Sequence, residues 1–258
     1  MQRIGLKKIV FSFSPVLIVL LHLPFVFAIN RPLHIDQPHQ DLTSLPTGVS
    51  KILNSPKVDP VSPSSVYDRL NLDRLGLSRD AFEYAIKGFN KLREEGKLNN
   101  SGIITIIDFS KSSAQKRFFI LDLNRFELLC NTYVSHGVNS GMEYARHFSN
   151  TPESNQSSLG FYLTGVTYTG KHGYSLKLSG LEKGFNDNVE SRAIVMHAAD
   201  YVNEELARSH GYIGRSHGCP AIPVQLHKKI IKDIKGGSCL FIYSPDNNYL
   251  LHSPVING

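Results

Sequence analysis

The chain has 258 residues, 41% of them hydrophobic, and 28 Lys and Arg against 22 Asp and Glu give a formal net charge of +6. That surplus is too small to argue for nucleic acid, and no run of basic residues interleaved with aromatics occurs. Three cysteines cannot all pair within one molecule, so the odd one needs a chemical reason in an oxidising compartment.

Residues 1–28 read as a secretory signal peptide: Arg3, Lys7 and Lys8 form a basic start, Ile9 to Leu23 an apolar stretch, and Val26-Phe27-Ala28 a small-residue cleavage site. Cleavage after Ala28 places the rest in the periplasm or cell envelope and lowers the formal charge to about +3. If the segment is retained, it is just long enough to act as a membrane anchor, which is the one membrane contact expected. Residues 29–65 are rich in proline, serine, threonine and asparagine without a sustained period, and read as a flexible lead-in.

Residues 66–258 are expected to form one catalytic domain. It begins with a helical pair: a short helix over 66–75, then a longer one from Ser78 to Glu95. In the longer helix Ser78 suits the N-cap, Phe82, Ala85, Ile86, Phe89 and Leu92 recur at helical spacing, and Gly96 offers a stop. The period then changes. Residues 103–109, 117–123 and 126–134 are β-branched or aromatic runs joined by short polar turns, which predicts an antiparallel meander.

From Ser135 to Gly180, apolar pieces at 159–168 and 174–178 suggest strands joined by long loops. His136 and His172 both precede glycine, which suits turns, with substrate contact as the second reading. Arg192 to Tyr201 is an apolar run read as a strand that ends at His197, then a helix is expected over 225–234 and a closing strand over 240–243. Cys130 and Cys239 lie in apolar runs and read as core residues, a disulfide between them remaining open.

Cys219 differs from both. It stands in Arg215-Ser216-His217-Gly218-Cys219-Pro220, two positions after one histidine and twenty-two after another, His197. A thiol with a pKa near ~8.5 needs a base or a field of N–H groups to act as a nucleophile at neutral pH. His197, held on a strand, suits the base. Glycine at 218 lets the backbone approach a carbonyl, and the Gly218 and Cys219 amides are candidate oxyanion donors. Such chemistry calls for no cofactor and no metal.

His197, eighteen residues and then Ser216-His217-Gly218-Cys219 resemble the signature of the YkuD-type L,D-transpeptidase catalytic domain. Gly214-Arg215-Ser216, Cys219-Pro220-Ala221, Ser158 to Tyr162, Gly170 to Leu176 and Ile194 to His197 are similar to its murein L,D-transpeptidase branch, YkuD_2, over roughly 100–244. The resemblance implies a mainly β fold, a β-sandwich of mixed strands with a few flanking helices. It also implies peptidoglycan stem peptides as donor and acceptor, attack by Cys219 on the carbonyl before a terminal D-alanine, and His197 as base. His217 would shape the pocket, Ser216 and Gly218 complete the catalytic loop, and Tyr162, His172 and Arg215 bind substrate. Transfer to an amine such as that of diaminopimelate makes a cross-link; water as acceptor makes an L,D-carboxypeptidase or endopeptidase. Ala198 stands where many members have glycine, and Pro220-Ala221 replace the apolar-then-polar pair of the best-known branch.

Three other classes compete. A zinc site from His197, His210, His217 and Cys219 lacks a carboxylate or a Cys-x-x-Cys pair. A papain-like protease places its cysteine before the histidine and at a helix start, and here the order is reversed. A non-catalytic wall-binding module leaves the nucleophile and its base without a purpose.

Overall fold

A computed structural model describes residues 63–258, with side chains from Val66 onward. The expected signal segment 1–28, and the lead-in up to residue 62, lie outside the described residues. The order of elements is α1 (Pro63–Arg69), α2 (Arg79–Glu94), β1 (Asn100–Asp108), β2 (Phe118–Asp122), β3 (Glu127–Thr132), β4 (Gly160–Gly170), β5 (Gly173–Gly180), β6 (Val195–Ala199), α3 (Glu204–His210), β7 (Ala221–Pro223), α4 (His227–Ile234), β8 (Ser238–Tyr243), α5 (Asn247–His252) and α6 (Pro254–Asn257). The eight strands join in the order β3-β2-β1-β8-β4-β5-β6-β7. The fold is therefore mainly β with mixed strands and flanking helices, as the sequence predicted.

The first helix starts three residues inside the expected lead-in and ends at Arg69, because Pro63 has the fixed φ that suits a helix start. In α2 the Ser78 hydroxyl accepts from the Ala81 amide, and Ala81, Phe82, Ala85, Ile86, Phe89 and Leu92 form the buried stripe. The meander is as predicted: β1–β2 and β2–β3 are antiparallel. Two expectations need correction. Residues 160–180 are not strands joined by long loops but one hairpin, β4–β5, closed between Gly170 and Gly173. The strand β8 closes the sequence but not the sheet: it lies between β1, which it pairs in parallel, and β4. All six of its residues are buried, as an uninterrupted apolar run requires of a central strand.

Cys130 and Cys239 are free, as is Cys219. Cys130 lies on β3 and Cys239 on β8, with β2 and β1 between them. Three strand spacings, roughly 14 Å, exceed the reach of a disulfide.

Candidate active site

Strands β6 and β7 pair in parallel, with His197 opposite Ala221. Cys219 lies two residues before Ala221 on the approach to β7, beside the start of β6: its Sγ is 3.9 Å from the Ala193 carbonyl and accepts from the Val195 amide. His197 sits in the middle of β6, not at its end. Residues two apart on a strand share a face, and so do register partners. The nucleophile candidate and the base candidate therefore stand on adjacent strands and one face of the sheet.

The ring of His197 is almost fully buried, and its Nδ1 is 2.9 Å from the Ala198 carbonyl. A carbonyl can only accept, so Nδ1 carries the proton and Nε2 of the neutral ring carries the lone pair. Burial lowers the His197 pKa, the Ala198 hydrogen bond opposes this, and His172 adds a further lowering. His172, on the turn of the β4–β5 hairpin, stacks on His197 with ring centroids 4.3 Å apart and planes 21° from parallel. Burial also pushes the Cys219 thiol up, against the Val195 amide and the positive charge of Arg192. Both shifts favour the neutral pair, a thiol and an imidazole, over thiolate and imidazolium.

The loop carrying the cysteine is held by Ser216. Its hydroxyl lies 2.6 Å from the Cys219 carbonyl and accepts from the Gly218 amide at 3.0 Å, while its backbone amide donates to the His136 carbonyl. Of the two expected oxyanion donors, the Gly218 amide is thus already engaged. The Cys219 amide has no acceptor among the described residues. Gly218 adopts φ +116°, and a Cβ there would lie 2.7 Å from the Gln156 carbonyl oxygen, so glycine is required on both counts. His136 is a supporting residue: its Nδ1 accepts from the fully buried Arg117 at 2.7 Å, and its Nε2 lies 3.2 Å from the Gly141 carbonyl. Desolvation, with the Arg117 charge adding to it, lowers its pKa to about 3, which keeps it neutral.

The other predicted residues separate. Tyr162 is 1% exposed and its hydroxyl donates to the Ser158 carbonyl, so the substrate-binding assignment is corrected: β4 turns this side chain into the core. Arg215 directs Nη1 to the Val138 and Gly141 carbonyls and holds the neighbouring loop. His217 is exposed at the rim. Sequence reasoning missed Arg192, whose Nη1 donates to the Ser149 carbonyl and Ser158 hydroxyl and whose Nη2 donates to the Gln156 carbonyl and Ser154 hydroxyl. This clamp draws the 149–158 loop against Gly218. Its only sequence signal was a basic residue opening an apolar strand. Among the described residues, no three His, Cys, Asp or Glu side chains are grouped so as to hold a metal ion.

Comparison with known proteins places this geometry. A family model described as the L,D-transpeptidase catalytic domain matches residues 73–243, which include both His197 and Cys219. Among solved structures, an L,D-transpeptidase from Mycobacterium smegmatis is 12% identical, with 55% of this chain and 59% of that one covered and a TM-score of 0.34. An L,D-transpeptidase (Yku) from Stackebrandtia nassauensis is 12% identical over 64% of this chain and 68% of that one, TM-score 0.34. An L,D-transpeptidase (residues 123–326) from Xylanimonas cellulosilytica is 14% identical over 69% and 92%, TM-score 0.31. The chain thus spans a little under three fifths of the length of the Mycobacterium smegmatis protein it matches. No curated protein matches it. Because the matched segment is about two thirds of the sequence and carries the histidine strand and the cysteine loop together, the chain belongs to the family of L,D-transpeptidase catalytic domains.

Proposed function

We propose that the protein is an exported L,D-transpeptidase that forms a thioester at Cys219 and passes the acyl group to an amine of a second peptidoglycan stem. The observation that carries this reading is the fixed tautomer of His197, whose Nδ1–H is committed to the Ala198 carbonyl and whose Nε2 is left as a base one strand from the thiol. In the first half-reaction Nε2 takes the Cys219 proton as Sγ attacks the carbonyl before the terminal D-alanine. The negative oxygen formed there is stabilised by the Cys219 amide. Collapse breaks the peptide bond, and His197 returns the proton to the departing D-alanine amine. In the second half-reaction the acceptor amine attacks the thioester, His197 takes the amine proton, and Cys219 leaves and is reprotonated. The neutral resting pair makes proton transfer part of the attack itself, since no preformed thiolate waits in the site. Export follows from reading residues 1–28 as a signal that delivers the chain to the periplasm or cell envelope.

The test is incubation with disaccharide-tetrapeptide, with and without an amine acceptor, read by mass spectrometry. Cross-linked dimer, and an adduct on Cys219 equal to the acyl fragment, are the expected products. Tripeptide alone would assign water as the acceptor. Cys219→Ala is expected to abolish every product, and retention of full activity by that variant would sink the mechanism.

A further inference from the structure

Beside the thiol lies a pocket of about 280 Å³ that includes Tyr168, Lys177, Glu190, Ala193, Ile194 and Val195 in its wall. It belongs to the catalytic face: Lys177 pairs with Val195, Tyr168 pairs with Ser175, and each partner is two residues from the next position on that face. It also shares residues with the surroundings of the sulfur, because the Ala193 carbonyl and the Val195 amide are the groups nearest Cys219 Sγ. Ala193 is a non-glycine residue at φ +53°, a conformation L-residues seldom adopt and one that gathers at ligand sites. The turn held by the Ala193 amide on the Glu190 carbonyl brings Glu190 to one side of the pocket, and strand β5 brings Lys177 to the other.

These two charges have opposite sign, both are exposed, and neither forms an ion pair among the described residues. The wall between them is apolar, with Ile194 and Leu178 nearly buried. An unpaired ammonium and an unpaired carboxylate separated by apolar surface complement one kind of group: a carbon bearing an amine and a carboxylate at the end of a short hydrocarbon arm. We infer that the Lys177–Glu190 pocket binds the zwitterionic side-chain end of a diamino-dicarboxylic residue in the donor stem and so sets donor specificity. Lys177 meets the carboxylate and Glu190 the ammonium. The volume suits one side-chain end, not a whole stem peptide. This inference rests on the acyl-transfer reading of Cys219 and specifies which donor that site takes.

The experiment separates binding from turnover. Four synthetic tetrapeptides differ only at the third residue: meso-diaminopimelate, its side-chain carboxamide, lysine, which keeps the amine alone, and 2-aminopimelate, which keeps the carboxylate alone. Calorimetry on the Cys219→Ala protein is expected to favour the diaminopimelate peptide by about tenfold or more over each of the others. Adding Lys177→Met removes the preference over the carboxamide and lysine peptides. Adding Glu190→Gln removes the preference over the 2-aminopimelate peptide. Neither addition changes the melting temperature, since both side chains are exposed. Thioester formation on the protein with Cys219 intact is followed in parallel. If thioester forms but all four peptides bind alike, or the two variants leave the ranking untouched, the pocket assignment is overturned and the acyl-transfer reading stands. If the variants change the ranking and no thioester ever forms, the pocket stands and the acyl-transfer reading fails.

Discussion

Cys219 and His197 are each held in the neutral form, and the two effects have a common origin in burial, which penalises the charged member of each couple. A thiol raised above its ordinary value has less thiolate at pH 7 than a free cysteine, so its alkylation by iodoacetamide is expected to be slow at neutrality. The rate should keep climbing as pH passes ~8.5. The imidazole acts only when neutral, and its lowered pKa places the acid limb of kcat/KM below the ordinary histidine value near ~6.5. His172 covers His197 and contributes to that lowering. His172→Ala removes a like charge and opens the ring to water, both of which raise the His197 pKa, so the acid limb is expected to move to higher pH. A limb that stays in place or moves down would refute the role given to the stack. The pairing of Cys219 with His197 was legible in the sequence because a Gly-Cys turn and a histidine in an apolar run are local patterns. The engagement of the Gly218 amide by Ser216, the Arg192 clamp and the burial of Tyr162 were not. Each depends on which segments the fold brings together, and spacing carries no record of that.

At the level of elements, α2 and the meander could be read directly because their periods, 3.6 and 2, are sustained and their ends are punctuated by Ser78, Gly96 and short polar turns. The β4–β5 hairpin was obscured by its own composition. Gly160, Gly165, Gly170, Gly173 and Gly180 read as loop, although the Thr and Tyr between them favour strands. Helix α3 was passed over although Asn203 caps it, Glu204 and Glu205 occupy its first turn and Gly211 ends it, because its seven residues are too few to show a period. One residue in α2 ties helix to sheet. A Cβ at Gly88 would lie 2.1 Å from Cζ of Phe161, which is fully buried and stacks on Phe241 at 4.1 Å. Helix propensity favours alanine there by about 1 kcal/mol. Overpacking of a ring that cannot retreat costs about 1–3 kcal/mol and outweighs it. Gly88→Ala is therefore expected to lower the urea midpoint, and a midpoint that rises would show that the helix can shift away from β4 at little cost.

For the whole molecule, the position of β8 has a consequence that the order of elements along the chain concealed. A strand ending at Tyr243 completes the middle of the sheet, so the β1–β2–β3 meander and the β4 to β7 half that carries the site are joined only after the last strand is in place. The C-terminal segment beyond β8 is anchored by Glu182, from the turn after β5. Its carboxylate accepts from the Phe161 amide at 2.6 Å, the Tyr249 hydroxyl at 2.9 Å and the Ser253 hydroxyl, linking β4 to α5 and α6. No Lys or Arg pairs with it among the described residues, and burial pushes its carboxyl up despite these donors. The carboxylate is held by hydrogen bonds alone, each of which leaves a buried donor unsatisfied if the acceptor is removed, at about 1–3 kcal/mol apiece. Glu182→Ala is therefore expected to cost several kcal/mol, several times the effect of Gly88→Ala, although it lies outside the catalytic face. Urea denaturation measures the loss, and limited proteolysis measures its location, with cleavage expected first between Asn247 and Gly258. An unchanged midpoint together with a protected C-terminus would mean that α5 and α6 are held by their apolar contacts through Tyr249, Val255 and Ile256 and that the carboxylate is dispensable. Gln at 182 sharpens the distinction. It keeps the shape but turns one oxygen into a donor facing donors, so if the hydrogen bonds carry the anchor Glu182→Gln falls close to Glu182→Ala, and if packing carries it the variant stays close to the parent protein.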